Sequence, residues 1–581
     1  MSIIKELKNS VKEIIKQVGY DVDDVILVSS SRPDLGDYQI NDAMRLAKMY
    51  HTSPIEIANK IADELKKDAR FTNINIAGPG FINLTLSPYF LYASLNKILV
   101  DFSCNVDKED KKTIFMDYGG ANIAKTLHVG HLRSANIGEA VKRLARYLGL
   151  EVISDVHFGD IGRQSGMVIS EIKRRYPNLD FFNENFKGNY NDIEVSITEE
   201  ELGEIYPTAS TAAKEDEERM AEVVQITKEL EEGNEAYVAL WNKIKEISIS
   251  DIKKVYKDIN TTFDLYEGES DCYPYIPKVI DYLEKNNYLR LSEDAKVIDV
   301  IEENDTAPMP PLVVIKSNGA TLYATRELAT IYSRMERFNP DEIWYFVDSR
   351  QSLYFEQVFR ACKKSGLVKE NTKLEFCGFG TMNGKDGKPF KTRDGGVMSL
   401  KELIKIITDK TFERLNTNMV SSDKRDETSK QIAIAALKYA DLIPYRETDY
   451  IFDPEKFVSL DGKTGPYLLY STIRMKSLLE KSDIKDYNFT KFKDTTDRQV
   501  ALELLKLPEV LTRSLKEKSV NELTDYIYRL TSCYNTFYNE NKVLVENDLD
   551  LKNSWLALTA LVYKTNNEIL DILGITVPEK M

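Results

Sequence analysis

The chain reads as a three-part α/β protein: a doubly wound parallel-sheet domain in the middle, an α+β unit before it and an all-helical bundle after it. Three observations predict this. First, 581 residues exceed what one hydrophobic core organises, so three or four domains are expected. Second, strand, helix and strand patterns follow one another near residues 113–159, the opening of a right-handed βαβ unit. Third, from about residue 431 onward almost every stretch carries the helical period.

Residues 1–110 carry helix patterns in IIKELKNSVKEIIKQV and in DAMRLAKMYHTSPIEIANKIADELKK. DVILVSS and FINLTLS read as strands, with the turn GPG at Gly78–Gly80 before the second. The charged run DKEDKK is a linker into residues 111–430. There TIFMDYG is a strand, and a helix is expected from about His131 to Leu148, with Ile137, Val141, Leu144 and Leu148 on one face. EVISDVHFG is the next strand. An acid-rich helical insertion is expected at about 190–260. The α/β pattern then resumes with PLVVIKSNG, a helix from about Thr325, the strand DEIWYFVD and a helix from Tyr354. Residues 431–581 read as the bundle, in five helical stretches from SKQIAIAALKYADLI to NSWLALTALVYKTNNEILDILG.

With 42% hydrophobic and 29% charged residues, the composition is that of a soluble protein, and no apolar run is long enough to span a bilayer, so no membrane partner is expected. The lysine-bearing first helix lacks an apolar h-region and a cleavage site, so it is not read as a secretory signal. Five scattered cysteines without a C-x-x-C pair point to a reducing, cytoplasmic setting, with no disulfide framework and no structural zinc. A net charge of −15 argues against a nonspecific nucleic-acid coat and leaves room for a local basic surface.

Two of the four histidines, His128 and His131, flank Gly130 where the loop after the first central strand feeds a helix. Open α/β sheets bind phosphates there, because the helix start offers unpaired N–H groups and the positive end of its dipole. Two imidazole donors at that place suit a phosphate whose charge grows in a transition state. Gly130 removes a side chain that would keep a flat ring from the backbone. Two other readings stay open: caps of the helix, or half of a metal site, which the lack of a nearby cysteine or third histidine disfavours although His157 is one strand away.

HVGH within ANIAKTLHVGHLRSANIG resembles the H-x-G-H signature of class I aminoacyl-tRNA synthetases, in the form shown by the arginyl-tRNA synthetases. RPDLGDYQINDAM and GPGFINL are similar to that family's N-terminal domain. DVHFGDIGRQSG, FDLYEGESD, NGATLYATRELA, VDSRQSLYFEQVF and GKPFKTRDGG resemble its catalytic segments in order, and DGKTGPYLLYSTIR, FYNENKVL and LGITVPEKM its C-terminal helical domain. The resemblance spans essentially the whole chain.

The resemblance implies a Rossmann-type catalytic domain and an arginine–tRNA ligase. The family converts L-arginine and ATP, with Mg2+, to arginyl-adenylate and pyrophosphate, then passes arginine to the terminal ribose of tRNA(Arg). It implies a monomer and a need for tRNA during activation. By the same resemblance His128 and His131 meet the ATP phosphates and Gly130 the adenine. Lys391, Thr392 and Arg393 in PFKTRDGG match the loop that clamps pyrophosphate. That segment lacks a lysine directly before Arg393, and Lys125 stands where the family compensates for this.

A guanidinium is planar, permanently charged and rich in donors, so its pocket needs carboxylates and flat or hydroxylated rings. Tyr323 and Glu327 lie one helical turn apart in TLYATRELA, and the resemblance makes them the guanidinium readers. Glu269 in EGES is a second carboxylate for the pocket, and Asn122 and Gln351 match residues that hold the amino and carboxylate ends of the amino acid. His157, Asp160 and Gln164 match a motif near both sites. The family usually has Asp at the place of Glu327, His at that of Tyr354, Trp at that of Ile161 and Gln at that of Leu469. No separate editing domain is expected, since a buried carboxylate rejects analogues that leave it unpaired.

Tyr467, Tyr470 and Arg474 are candidates for tRNA stacking and phosphate contact, with bundle core as the competing reading. Tyr534 and Tyr538 share one helical face that fits either role. The alternatives to a ligase for arginine are another class I synthetase such as a cysteinyl enzyme, a non-catalytic synthetase-like RNA-binding protein, and a synthetase-like regulatory or assembly protein. The first would need zinc cysteines. The second would be expected to lack His128, His131 or the pocket carboxylates.

Overall fold

The computed structural model describes residues 2–30, 32, 34–384, 386–388, 398–415, 420–493 and 495–581. The N-terminal part combines helices α1 (Ile3–Gln17), α2 (Asp42–Tyr50), α3 (Pro54–Leu65) and α4 (Pro88–Val100) with strands β1 (Leu27–Ser29), β2 (Tyr38–Ile40), β3 (Phe71–Ala77) and β4 (Phe81–Leu86). The strands form an antiparallel sheet in the order β1-β2-β4-β3. Sequence patterning missed β2 and β3. The first is three residues long, and the second interleaves Thr and Asn with its apolar residues. The long helix pattern after residue 41 is two helices, because His51 takes φ 52° and Pro54 starts α3.

The central sheet is four parallel strands in the order β11-β10-β5-β6: β5 (Thr113–Tyr118), β6 (Glu151–Asp155), β10 (Glu342–Phe346) and β11 (Lys373–Phe376). Helix α5 (Val129–Tyr147) joins β5 to β6, and α12 (Ser352–Ser365) joins β10 to β11. The chain moves from β5 to one side, then returns to the other side at β10. The strand order therefore reverses between β5 and β10, and a crevice opens at their carboxyl ends. Ser134 of α5 sits beneath that crevice: its hydroxyl takes the Gly119 N–H at 2.7 Å and donates to Phe346 O at 2.8 Å.

Between β6 and the return lie α6 (Arg163–Arg175), α7 (Glu199–Glu215), α8 (Glu217–Glu231), α9 (Glu235–Asp258) and α10 (Ile276–Lys285). PLVVIKSNG departs from its expected place in the α/β pattern. Its strand β9 (Leu312–Ile315) pairs antiparallel with β8 (Ala295–Ile298), beside β7 (Arg290–Ser292), in a separate three-stranded sheet. A short apolar run does not reveal its partner strand. Helix α11 (Tyr323–Phe338) then leads into β10.

The remaining elements are α13 (Leu400–Arg414), α14 (Arg425–Leu442), α15 (Pro454–Phe457), α16 (Gly465–Lys481), α17 (Thr495–Leu504), α18 (Leu507–Glu517), α19 (Asn521–Glu540) and α20 (Leu549–Ile572). A two-residue parallel pair, β12 (Met382–Asn383) with β13 (Tyr450–Ile451), ties the bundle's approach to the central part. One helical stretch of the bundle divides into α17 and α18, with Pro508 in the first turn of α18. Helix α5 is buried nearly all round because it lies between the sheet and α13, α14, α18 and α20. Arg133 donates to Thr448 O at 2.9 Å and Arg446 O at 3.1 Å, and Asn136 Nδ2 donates to Asp441 at 2.8 Å. The N-terminal part meets the bundle through Arg498, whose guanidinium grips both oxygens of Asp37 at 2.6 and 2.7 Å.

Candidate functional site

The start of α5 forms one wall of the crevice. His128 is its N-cap, and its Nδ1 accepts the Gly130 N–H at 3.1 Å. His131 Nδ1 accepts the His128 N–H at 3.0 Å, which closes a capping box made of two imidazoles. The ring centroids are 3.9 Å apart. An Nδ1 that accepts a hydrogen bond carries no proton, so the proton of each neutral ring is on Nε2. Burial lowers the pKa of His128, and the nearby Lys125 charge lowers it further. Burial brings His131 down to about 3, helped by His128. Both rings are therefore neutral donors near pH 7 and not cations.

The cap reading and the donor reading of this pair are thus compatible, because capping uses Nδ1 and leaves Nε2–H free. A Cβ on Gly130 would lie 2.9 Å from the His128 ring, so this glycine lets the ring fold back over the helix terminus. The segment Met398–Leu400 runs beside the pair: Val129 N donates to Met398 O at 3.2 Å, and Leu400 N to Leu127 O at 2.8 Å. Lys391, Thr392 and Arg393 lie outside the described residues. Lys125 Nζ stands 4.3 Å over the Tyr206 ring of α7, a cation–π contact with the insertion.

The loops after β5 and β6 bind each other. Asn122 and Gly159 form a parallel bridge, with Ile123 N donating to Gly159 O at 3.0 Å and Gly159 N to Ala121 O at 2.9 Å. A Cβ on Gly159 would lie 2.5 Å from Asn122 Oδ1, so only glycine leaves the amide its place. Gln164 donates to Ile123 O and steadies the same loop. Gln351 is exposed after β10, on the opposite side of the crevice. Asp160, buried at 3%, takes the Ser270 N–H at 2.9 Å and faces Lys245 at 3.4 Å.

The two candidate carboxylates differ sharply. Glu269 already holds a cation of this chain, since Arg326 Nη1 donates to it at 2.8 Å. That guanidinium also stands 4.6 Å over the ring of Tyr323, which is 65% exposed. Glu327 has a buried Oε1 with no hydrogen-bond partner. Burial raises its pKa, against the charges of His157 and Arg334 and a hydrogen bond from Tyr345. A buried carboxylate oxygen without a donor costs free energy unless a ligand supplies one. Burial, with the charges of Glu327 and Glu269, raises Tyr354 far above the usual tyrosine value, so its phenol stays protonated beside them.

Sequence reading missed the charge cluster beneath this pocket. Arg334 is 2% exposed and binds Asp117 at 2.6 Å, Asp155 at 3.3 Å and the Tyr345 hydroxyl at 3.0 Å. The signals were present: Asp117 and Asp155 follow the apolar runs Ile114–Met116 and Val152–Ile153 near the carboxyl ends of β5 and β6, and Arg334 lies on the inner face of α11. His157, at φ 41°, places Nδ1 3.3 Å from Asp155 Oδ2. Burial pulls the His157 pKa down, yet the bond to Asp155 and the field of Asp117 bring it up to about 9.

In the bundle, Tyr467 is tied inward: its hydroxyl accepts from Asn535 at 2.8 Å. Tyr470 is 46% exposed and lines an apolar cavity of about 290 Å³ with Leu460, Pro466 and Met581. Arg474 donates to Asn535 and stacks 4.6 Å over Tyr538. Tyr534 is core, at 1% exposure. Among the described residues no group of three or more His, Cys, Asp or Glu is placed to hold a metal ion, and no helix is long and apolar enough to cross a membrane.

Comparison with known proteins places the chain in a family. Residues 3–86 match the family described as arginyl tRNA synthetase N terminal domain. Residues 94–454 match tRNA synthetases class I (R), catalytic domain, and residues 468–581 match the DALR anticodon binding domain. The chain is 44% identical over 585 residues to an arginine–tRNA ligase of Alkaliphilus oremlandii, and 40% identical over 595 residues to one of Agathobacter rectalis, with full coverage of both chains in each case. The crystal structure of arginyl-tRNA synthetase from Plasmodium falciparum superposes with a TM-score of 0.82 at 26% identity, again over the whole of both chains. With every part of its length matched in order, the chain belongs to the arginyl-tRNA synthetases of class I.

Proposed function

We propose that the chain is an arginine–tRNA ligase that works at the crevice between β5 and β10. The observation that carries this reading is the buried, unpartnered Glu327 Oε1. A permanently charged guanidinium supplies both the donor and the charge that this oxygen lacks. ATP, accompanied by Mg2+, is the second substrate and tRNA(Arg) the third.

In the first step a carboxylate oxygen of arginine attacks the α-phosphorus of ATP. An O–P bond forms, the bond to the β-phosphate oxygen breaks, and pyrophosphate leaves with the electron pair. In the second step a terminal ribose hydroxyl of tRNA attacks the arginyl carbonyl, and AMP leaves. No enzyme nucleophile takes part, so the protein positions and stabilises charge. The Nε2–H groups of His128 and His131 donate to the phosphate region as negative charge grows there. Lys391, Thr392 and Arg393 close on the pyrophosphate, and Lys125 joins them from the insertion side. The anchoring of Met398–Leu400 beside the histidines supports that assignment. Asn122 and Gln351 hold the ends of the amino acid, and Tyr323 and Glu269 border its side chain. Tyr470, with Arg474 behind it, stacks on a tRNA base, while Tyr467 supports that surface from within. The division of the chain at about residues 110 and 430, a monomeric state and a cytoplasmic setting belong to the same reading.

The test is arginine-dependent ATP–pyrophosphate exchange, with and without tRNA(Arg). Exchange with arginine and no other amino acid, appearing when tRNA is added, is the expected result. Exchange supported by a different amino acid, with none from arginine, overturns the pocket assignment.

A further inference from the structure

A carboxylate free to turn would accept many cations in many poses, so the selectivity of Glu327 depends on what fixes it. Its support comes from a chain of buried groups on four elements. Asp117 and Asp155, at the ends of β5 and β6, hold Arg334 of α11. Arg334 also stacks 4.5 Å from the Phe115 ring, which leaves its guanidinium little freedom to rotate. Its Nη1 donates to the hydroxyl of Tyr345, next to the carboxyl end of β10, at 3.0 Å. A phenol has one proton. Since the Tyr345 oxygen accepts from Arg334, that proton is free for an acceptor; burial and the charge of Glu327 keep it on the phenol, and the unpaired Glu327 carboxylate is the acceptor to which it is assigned.

We infer that Tyr345 is a positioning residue for arginine recognition: held by Arg334, it donates to Glu327 and leaves Oε1 as the open acceptor for the substrate guanidinium. The inference rests on the reading of Glu327 as guanidinium reader. It assigns Tyr345 no contact with substrate. A bond that orients a charged group is worth more than a neutral one, and its loss appears where that group binds its partner.

The experiment measures ATP–pyrophosphate exchange in the presence of tRNA for four variants. Glu327→Ala is expected to raise the arginine KM by about a hundredfold or more. Tyr345→Phe is expected to raise it about tenfold, with kcat and the ATP KM within about twofold of the parent. The double variant is expected to match Glu327→Ala alone within about twofold, because nothing remains for Tyr345 to orient. Arg334→Lys keeps the charge between the aspartates but loses the planar fork, and is expected to raise the arginine KM by about threefold to tenfold. It decides the matter if Tyr345→Phe fails to fold. An unchanged arginine KM in Tyr345→Phe, or in Arg334→Lys where that variant decides, refutes the positioning role while leaving Glu327 as reader. A double variant worse than Glu327→Ala by the full Tyr345→Phe factor refutes it as well. An unchanged arginine KM in Glu327→Ala removes the reading on which it rests.

Discussion

His128 Nδ1 accepts the backbone N–H of Gly130 at 3.1 Å, and a Cβ on Gly130 would lie 2.9 Å from that same ring. Glycine and histidine are therefore one device, a cap made through Nδ1 that leaves Nε2–H to donate elsewhere. Gly130→Ala displaces the ring and breaks the cap. The expected result is adenylation slowed by roughly tenfold or more, with the arginine KM changed little. Exchange kinetics at varied ATP and arginine check it.

His131 gives the cap an acid limit. Its pKa is 6.5 when unfolded and about 3 when folded. Between those values the unfolded chain binds a proton that the folded chain does not. The contribution to stability is whole above pH 6.5 and is lost as pH falls toward 3. His131→Asn keeps an acceptor that does not titrate. The difference in Tm between parent and variant should therefore shift against the parent from about pH 7 to about pH 4. Thermal melts across that range test it, and a constant difference would show that His131 is not the titrating cap.

His157 has the opposite sign. Its folded pKa is raised to about 9, so its pairing with Asp155 contributes fully below pH 6.5 and is lost as pH climbs through 9. His157→Asn should narrow its stability gap to the parent between about pH 7 and pH 10. Denaturant melts at the two ends decide it, and a gap that stays constant would show that His157 enters and leaves folding with the same charge.

Tyr467 and Tyr470 are three residues apart and have different surroundings. Tyr467→Phe loses the bond from Asn535 and should cost about 1 kcal/mol of bundle stability. Tyr470→Ala should leave the Tm nearly unchanged and raise the tRNA KM about tenfold. Aminoacylation at varied tRNA, together with melting curves, separates the two, and a reversed pattern would exchange their roles.

The glycine and histidines of HVGH, the carboxylates of EGES and TLYATRELA, and the order of strand and helix were legible because each is local. Helical period, a cap position and a motif spacing all involve neighbours along the chain. PLVVIKSNG marks the limit of that reading: its apolar residues name a strand, but β9 found its partner in β8, outside the central sheet. The carboxylates mark it again, because nothing in the two segments says that Arg326 occupies Glu269 while Glu327 Oε1 stays unpaired.

By itself the sequence determined the types of element, the helix start that carries the histidine pair and the family to which the chain belongs. Only the tertiary structure decided which carboxylate is open and how Asp117, Asp155, Arg334 and Tyr345 meet beneath it. Those four come from β5, β6, α11 and β10, separated by up to 228 positions from Asp117 to Tyr345. Burial and hydrogen-bond partnership depend on which distant segments pack together, and packing is a property of the folded chain as a whole.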